Sequence, residues 1–126
     1  MTDTVLDSSA LLALLGREAG WETVADVLPG TLLSTVNLAE VVAKLIDRGV
    51  PPDQARLAIE ATGVELVGFD PEQAYVCGEL RPATRDAGLS LGDRACLALA
   101  RSRACPALTA DRAWARLSDV EITLIR

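Results

Sequence analysis

The strongest constraint on this chain is its punctuation. Short apolar and β-branched runs recur at Thr4–Asp7, Thr31–Ser34, Val64–Val67, Pro106–Thr109 and Ile122–Ile125. Between them lie helical patterns closed by Gly or Pro. Helices are predicted over Ser8–Leu15, stopped at Gly16, and over Trp21–Leu28, stopped at Pro29-Gly30. Val36–Arg48 is closed by Gly49 and Pro51-Pro52, and Asp53–Thr62 by Gly63. Asp70-Pro71 supplies a cap and a first-turn proline for a helix expected to reach about Ala87 before Gly88. Ser90 opens another that reaches about Arg103, and Arg112–Leu117 reads as a short one. Strands this short and apolar are buried on both faces, and the helices between them supply the crossovers that parallel strands need. The pattern is that of an α/β layered fold on a mostly parallel sheet.

The 126 residues suit one domain spanning 1–126, with no internal repeat, low-complexity stretch or linker. The longest apolar runs, Ala10–Leu15 and Ala95–Ala100, are far short of the ~20 residues that cross a bilayer. No basic segment precedes an apolar one at the N-terminus, so no signal peptide and a cytosolic location are expected. Cys77, Cys96 and Cys105 are odd in number, form no CxxC pair, and read as buried free thiols.

The chain has no histidine. That removes Ser-His-Asp triads, histidine-assisted ribonuclease chemistry and nearly all common zinc sites. If the protein is an enzyme, Asp and Glu must carry the chemistry, with a hard, oxygen-preferring metal.

Four acids stand where such chemistry would be placed. Asp7 ends the first strand, and Asp111 follows the strand that closes at Thr109. In open parallel sheets, ligands bind outside the carboxyl ends of the strands, which is where both residues fall. Asp93 lies in the first turn of the helix opened by Ser90. Glu40 lies in the first turns of another helix, three residues from Asn37 and on its face. Each also has an ordinary structural reading. Asp7 and Asp111 can be caps or turn residues, Asp93 fits a Ser-x-x-acid capping box, and Glu40 can be a solvated helix residue. Capping and chemistry are compatible in one side chain. At about 4 Å and an effective dielectric of ~20, two carboxylates repel by about 4 kcal/mol, so a chain that gathers four needs something to offset them. Mg²⁺ or Mn²⁺ does so, and a metal held this way polarises phosphate oxygens and activates water. The reaction class that follows is metal-dependent phosphodiester hydrolysis.

The segments VLDSSAL (residues 5–11), NLAE (37–40), GLSLGDRACLALA (88–100) and LTAD (108–111) resemble PIN-domain ribonucleases, and more closely VapC-type toxins of bacterial type II toxin–antitoxin systems. The resemblance covers essentially the whole chain, and its third segment is the most specific. It implies a three-layer α/β/α sandwich and a quartet of Asp7, Glu40, Asp93 and Asp111 binding Mg²⁺ or Mn²⁺. It casts Asp7 and Asp93 as the firmest ligands. Ser9 and Thr109 match hydroxyl positions that hold the acids, with Asn37 in support. It further implies a homodimer, a cognate antitoxin that blocks the site, and a structured RNA substrate such as a transfer or ribosomal RNA.

The net charge of −6 is unusual for an RNA binder, but the quartet accounts for four of those charges. Arg85, Arg94, Arg112 and Arg116 lie near Asp93 or Asp111 in sequence and are candidate phosphate contacts, or ordinary surface arginines. Aromatic residues are few, which argues against a base-stacking platform. Trp114 reads as packing under a short helix, and Trp21 as either core or partner contact. Two other readings remain open. A haloacid-dehalogenase-like phosphatase would also place an Asp after the first strand, but it wants a second Asp at the position held by Ser9. A non-catalytic scaffold or receiver-like module would want a late lysine, whereas the only lysine is Lys44.

Overall fold

The computed structural model describes residues 3–126. Five parallel strands form one sheet in the order β3-β2-β1-β4-β5. They are β1 (Thr4–Leu6), β2 (Thr31–Ser34), β3 (Glu65–Val67), β4 (Ala107–Thr109) and β5 (Ile122–Leu124). The chain starts at the centre, builds outward through β2 and β3, then returns to lay β4 on the other side of β1. The order therefore reverses between β1 and β4, and a crevice opens at the carboxyl ends of such a pair.

The helices are α1 (Ser8–Gly16), α2 (Trp21–Val27), α3 (Thr35–Asp47), α4 (Pro52–Ala61), α5 (Pro71–Glu79), α6 (Arg81–Thr84) and α7 (Leu91–Arg103). Strand alternation sorts them into two layers. Leu6, Leu33 and Leu108 face a core with Ala10–Ala13 of α1, Val24 of α2, Val41 and Leu45 of α3, and Ala55 and Ile59 of α4. Val5, Leu32 and Ala107 face the other core, with Cys77 of α5, Ala95–Ala100 of α7, and Trp114. The result is the expected three-layer sandwich, with a sheet that is wholly parallel.

Helix α7 is buried along six consecutive residues, Ala95–Ala100. A helix enclosed all round must be apolar all round, and the alanines in ACLALA let α3, α5 and the sheet approach it closely. Its fully buried Leu97 and Leu99 contribute roughly 1.5–3 kcal/mol each. The three cysteines are free and buried, and Trp114 is fully enclosed. No described helix is long and apolar enough to cross a membrane.

Several element ends shift by one residue, and three helical segments differ in form from expectation. The helix expected from Pro71 to Ala87 breaks into α5 and α6 at Leu80. Pro82 is the cause: it lacks an N–H, and its ring would meet the carbonyl four residues back in a continuous helix. The segment expected as Trp21–Leu28 ends at Val27 and tightens into a 3₁₀ turn over Leu28–Gly30 around Pro29. Arg112–Arg116 is likewise a 3₁₀ turn rather than a short α-helix.

Candidate functional site

Three of the four acids sit at the start of a helical element at the carboxyl edge of the sheet, and Glu40 lies a turn further along its helix. Asp7 caps α1, accepting from the Ala10 N–H at 2.8 Å. Glu40 is in the second turn of α3. Asp93 is the third residue of α7 and completes a capping box with Ser90. Asp111 caps the 3₁₀ turn after β4, accepting from the Ala113 N–H at 3.0 Å. The structural readings of Asp7, Asp93 and Asp111 as caps are therefore true, and they account for only one oxygen of each.

Asp7 is the most enclosed, with 3% of its surface exposed. Oδ1 accepts from Ser9 Oγ at 2.7 Å and Oδ2 from Thr109 Oγ1 at 2.6 Å. Ser9 Oγ in turn accepts from the Ala110 N–H, and Thr109 Oγ1 from the Asp111 N–H. These two hydroxyls thus rivet β1 and α1 to the end of β4. Burial pushes the Asp7 carboxyl up to about 6, although the Thr109, Ser9 and Ala10 donors pull it down; the nearby Asp93 charge adds to the rise.

Asp93 is also raised, chiefly by burial and then by the charges of Asp111 and Glu40, against the pull of its Ser90 bonds. The buried thiol of Cys96, in the next turn of α7, is pushed well up by burial and by the charges of Asp7, Asp93 and Glu40. Fields from the acids therefore overlap at this edge.

Glu40 is held by donors from α1 and from its own helix. Ser8 Oγ, next to Asp7, and Asn37 Nδ2 at 2.9 Å both donate to its Oε1. Asn37 is buried and also donates to the Gly92 carbonyl at 3.0 Å, beside Asp93. Ser8 and Gly92 are the participants that sequence reasoning missed. Ser8 was hidden by its neighbour, since the Ser-Ser pair splits into two roles. Gly92 carried a visible signal, a glycine in the first turn of a buried helix, without a visible partner.

Glu40, Asp93 and Asp111 each keep one oxygen that accepts no hydrogen bond among the described residues. This is an all-oxygen set of mutually repelling donors, which fits a hard divalent cation by chemistry. Among the described residues, no group of three acids is already drawn together as a cage. The fit is therefore one of donor type and location, and closing a cage requires side-chain adjustment.

Of the candidate arginines, Arg85, Arg112 and Arg116 are exposed. Arg94 turns inward: its Nη1 donates to the Cys77 carbonyl at 3.1 Å, and its Nε is buried. It ties α7 to α5 rather than pointing into solvent.

The family model described as PIN domain matches residues 4–120. Among solved structures, a toxin–antitoxin complex from Klebsiella pneumoniae superposes with a TM-score of 0.77 at 17% identity, covering 98% of each chain. DNA-bound VapBC from Salmonella typhimurium gives 0.76 at 18% identity, covering 100% of both. VapBC-5 from Mycobacterium tuberculosis gives 0.68 at 24% identity, covering 98% of this chain and 99% of that one. No curated protein matches by sequence. At these identities the structural likenesses establish the fold, and the match over residues 4–120 establishes the rest: the chain belongs to the PIN domain family.

Proposed function

We propose that this chain is a single nuclease domain that hydrolyses RNA phosphodiester bonds, with Asp7, Glu40, Asp93 and Asp111 as its Mg²⁺- or Mn²⁺-binding acids. The carrying observation is the gathering of four acids at the β1–β4 switch point, where burial raises Asp7 to about 6, and burial with the added charges of Asp111 and Glu40 raises Asp93 above its ordinary range. Nothing in the fold requires so many acids there. When bound, a divalent cation supplies the offsetting positive charge and polarises a phosphate oxygen and its attacking water.

The chain's own residues do the positioning. Ser9 and Thr109 hold Asp7 at one orientation, leaving a lone pair on Oδ2 for a ligand. Glu40 offers Oε2 because Ser8 and Asn37 occupy Oε1. Asp93 and Asp111 offer one oxygen each from helix-cap positions. Exposed Arg85, Arg112 and Arg116 are the available phosphate contacts, which suits a structured RNA touched at few points better than sequence-blind binding.

We infer a toxin role for this nuclease, inhibited by a cognate antitoxin and acting as a homodimer. The support is that the superposing structures from Klebsiella pneumoniae and Salmonella typhimurium are of a toxin–antitoxin complex and of VapBC. The phosphatase reading loses ground, because Ser9 is fully committed to Asp7, Thr109 and the Ala110 N–H. The scaffold reading keeps one point in its favour, the absence of a preformed acid cage among the described residues. Incubating the purified protein with transfer and ribosomal RNA in Mn²⁺ separates these readings. Cleavage lost in Asp93→Ala supports the nuclease; no cleavage and no Mn²⁺ binding by the wild type supports the scaffold.

A further inference from the structure

Glu40 lies in a socket with an unusual wall. A side chain at Gly92 would overlap the Glu40 carboxylate, whose atoms are the nearest that a Cβ there would meet. Gly92 is buried in the first turn of α7, a position where glycine costs helix stability relative to alanine. A second wall is Asn37, fully buried, whose Nδ2 faces Glu40 Oε1, Ser8 Oγ at 3.3 Å and the Gly92 carbonyl. The orientation of this amide is set by chemistry, because the Gly92 carbonyl and an ionised Glu40 can only accept. That choice leaves Asn37 Oδ1 buried without a donor among the described residues. An orphaned buried acceptor is a cost, and here it is met so that one NH₂ group can join α3 to α1 and α7.

We propose that Asn37 and Gly92 are positioning residues that seat Glu40 against the first turn of α7 and so set the Glu40–Asp93 spacing on which divalent-metal capture depends. Asn37 links Glu40 to the backbone one residue before Asp93. Gly92 lets the carboxylate come that close. Ser8 couples the same carboxylate to the residue beside Asp7. The network therefore joins three of the four acids through backbone and hydroxyl groups, without using their remaining oxygens. This inference rests on the nuclease reading above.

The test is a set of double-mutant cycles read by Mn²⁺ calorimetry on the purified full chain. Asn37→Leu keeps the approximate size and removes the donors. Gly92→Ala puts a methyl group into the space of the Glu40 carboxylate, which must move, while the helix-propensity part of the change favours folding. Each is expected to weaken Mn²⁺ binding about 10-fold, the usual cost of losing a group that orients a ligand. In a Glu40→Ala background, where the carboxylate is gone and the socket is vacant, each should cost less than about 2-fold more. A merely structural role for Asn37 would lower the thermal midpoint without this dependence on Glu40. Should Asn37→Leu fail to fold, the Gly92 cycle decides alone. Full, additive losses in the Glu40→Ala background, or an unchanged Mn²⁺ affinity in folded Gly92→Ala, overturn the inference while the nuclease reading stands. A wild type that binds no Mn²⁺ overturns both.

Discussion

The two sides of the acidic edge are built differently. On the β1 side, Asp7 is sealed, and both its oxygens are engaged by donors from its own helix and from β4. On the far side, Asp93 is half-buried and Asp111 exposed, and each is tied through one oxygen to its own helical start. One side is a fixed anchor that carries the desolvation. The other is an adjustable rim that keeps its remaining oxygens available. In the nuclease reading proposed above, the anchor would fix the position of a metal and the rim would close around it. The acids are coupled electrostatically although no three of them are drawn together among the described residues.

The hardest blow to this contrast is Asp7→Asn. The asparagine oxygen can keep accepting from Ser9 and Ala10, and its NH₂ can donate to the Thr109 hydroxyl that donated to the carboxylate, while the buried charge is removed. RNA cleavage is expected to fall to background. The metal-free protein at pH 7.5 should nevertheless melt roughly 5 °C higher, because a strained carboxylate has been neutralised. A lower midpoint would show that Asp7 is structurally favourable as an anion, and the anchor argument would fail.

Next in size is the pH dependence of the metal-free protein. The folded state binds the Asp7 proton more tightly than the unfolded chain, about 6 against 3.8. The stability it confers is whole below about pH 4 and is lost as pH rises through about 6, about 3 kcal/mol. Asp93 shifts in the same direction. Thermal unfolding in chelator should therefore give a lower midpoint at pH 7.5 than at pH 5, and saturating Mn²⁺ should raise the pH 7.5 value. A flat profile would dismiss the desolvated anchor.

Thr109→Val removes one donor from Asp7 and the acceptor of the Asp111 N–H together. It should weaken Mn²⁺ binding about 10-fold with cleavage following, and move the acid limb of the pH–rate profile upward. An unmoved limb would mean that Asp7 does not depend on β4. The mildest change is Asp111→Asn at the rim. Its asparagine still caps the 3₁₀ turn, so stability should hold within about 0.5 kcal/mol while cleavage drops less than for Asp7→Asn. Equal losses at both positions would erase the distinction between anchor and rim.

The sequence displayed the strand–helix order and the placement of the acids because both depend on local chemistry. Asp70-Pro71, Ser90 with Asp93, and the apolar runs announce their roles within a few residues. Even the split of the helix after Leu80 was written in Pro82, but the strong Asp70 start and Gly88 stop masked it. The socket around Glu40 could not be read in the same way. Its bonds join residues 32 and 55 positions apart, and nothing in the local pattern marks one serine of a pair, or one glycine, as the partner of a distant carboxylate. The inward turn of Arg94 was hidden for the same reason, since its acceptor is a backbone carbonyl on another helix.

The sheet order carries one more consequence, for timing. Asp7 and Glu40 belong to the half of the chain that builds outward from β1 to β3, whereas Asp93 and Asp111 belong to the half that comes back with β4. Neither half holds more than two of the acids, and the Thr109 hydroxyl that fixes Asp7 is 102 residues away from it. During synthesis, the first helices can fold and pack while the edge they lead to still lacks half its charge. The complete acidic edge comes into being only when β4 slots in beside β1. A ribosome making this protein therefore carries at most half of the acidic edge until β4 has been joined and has folded back.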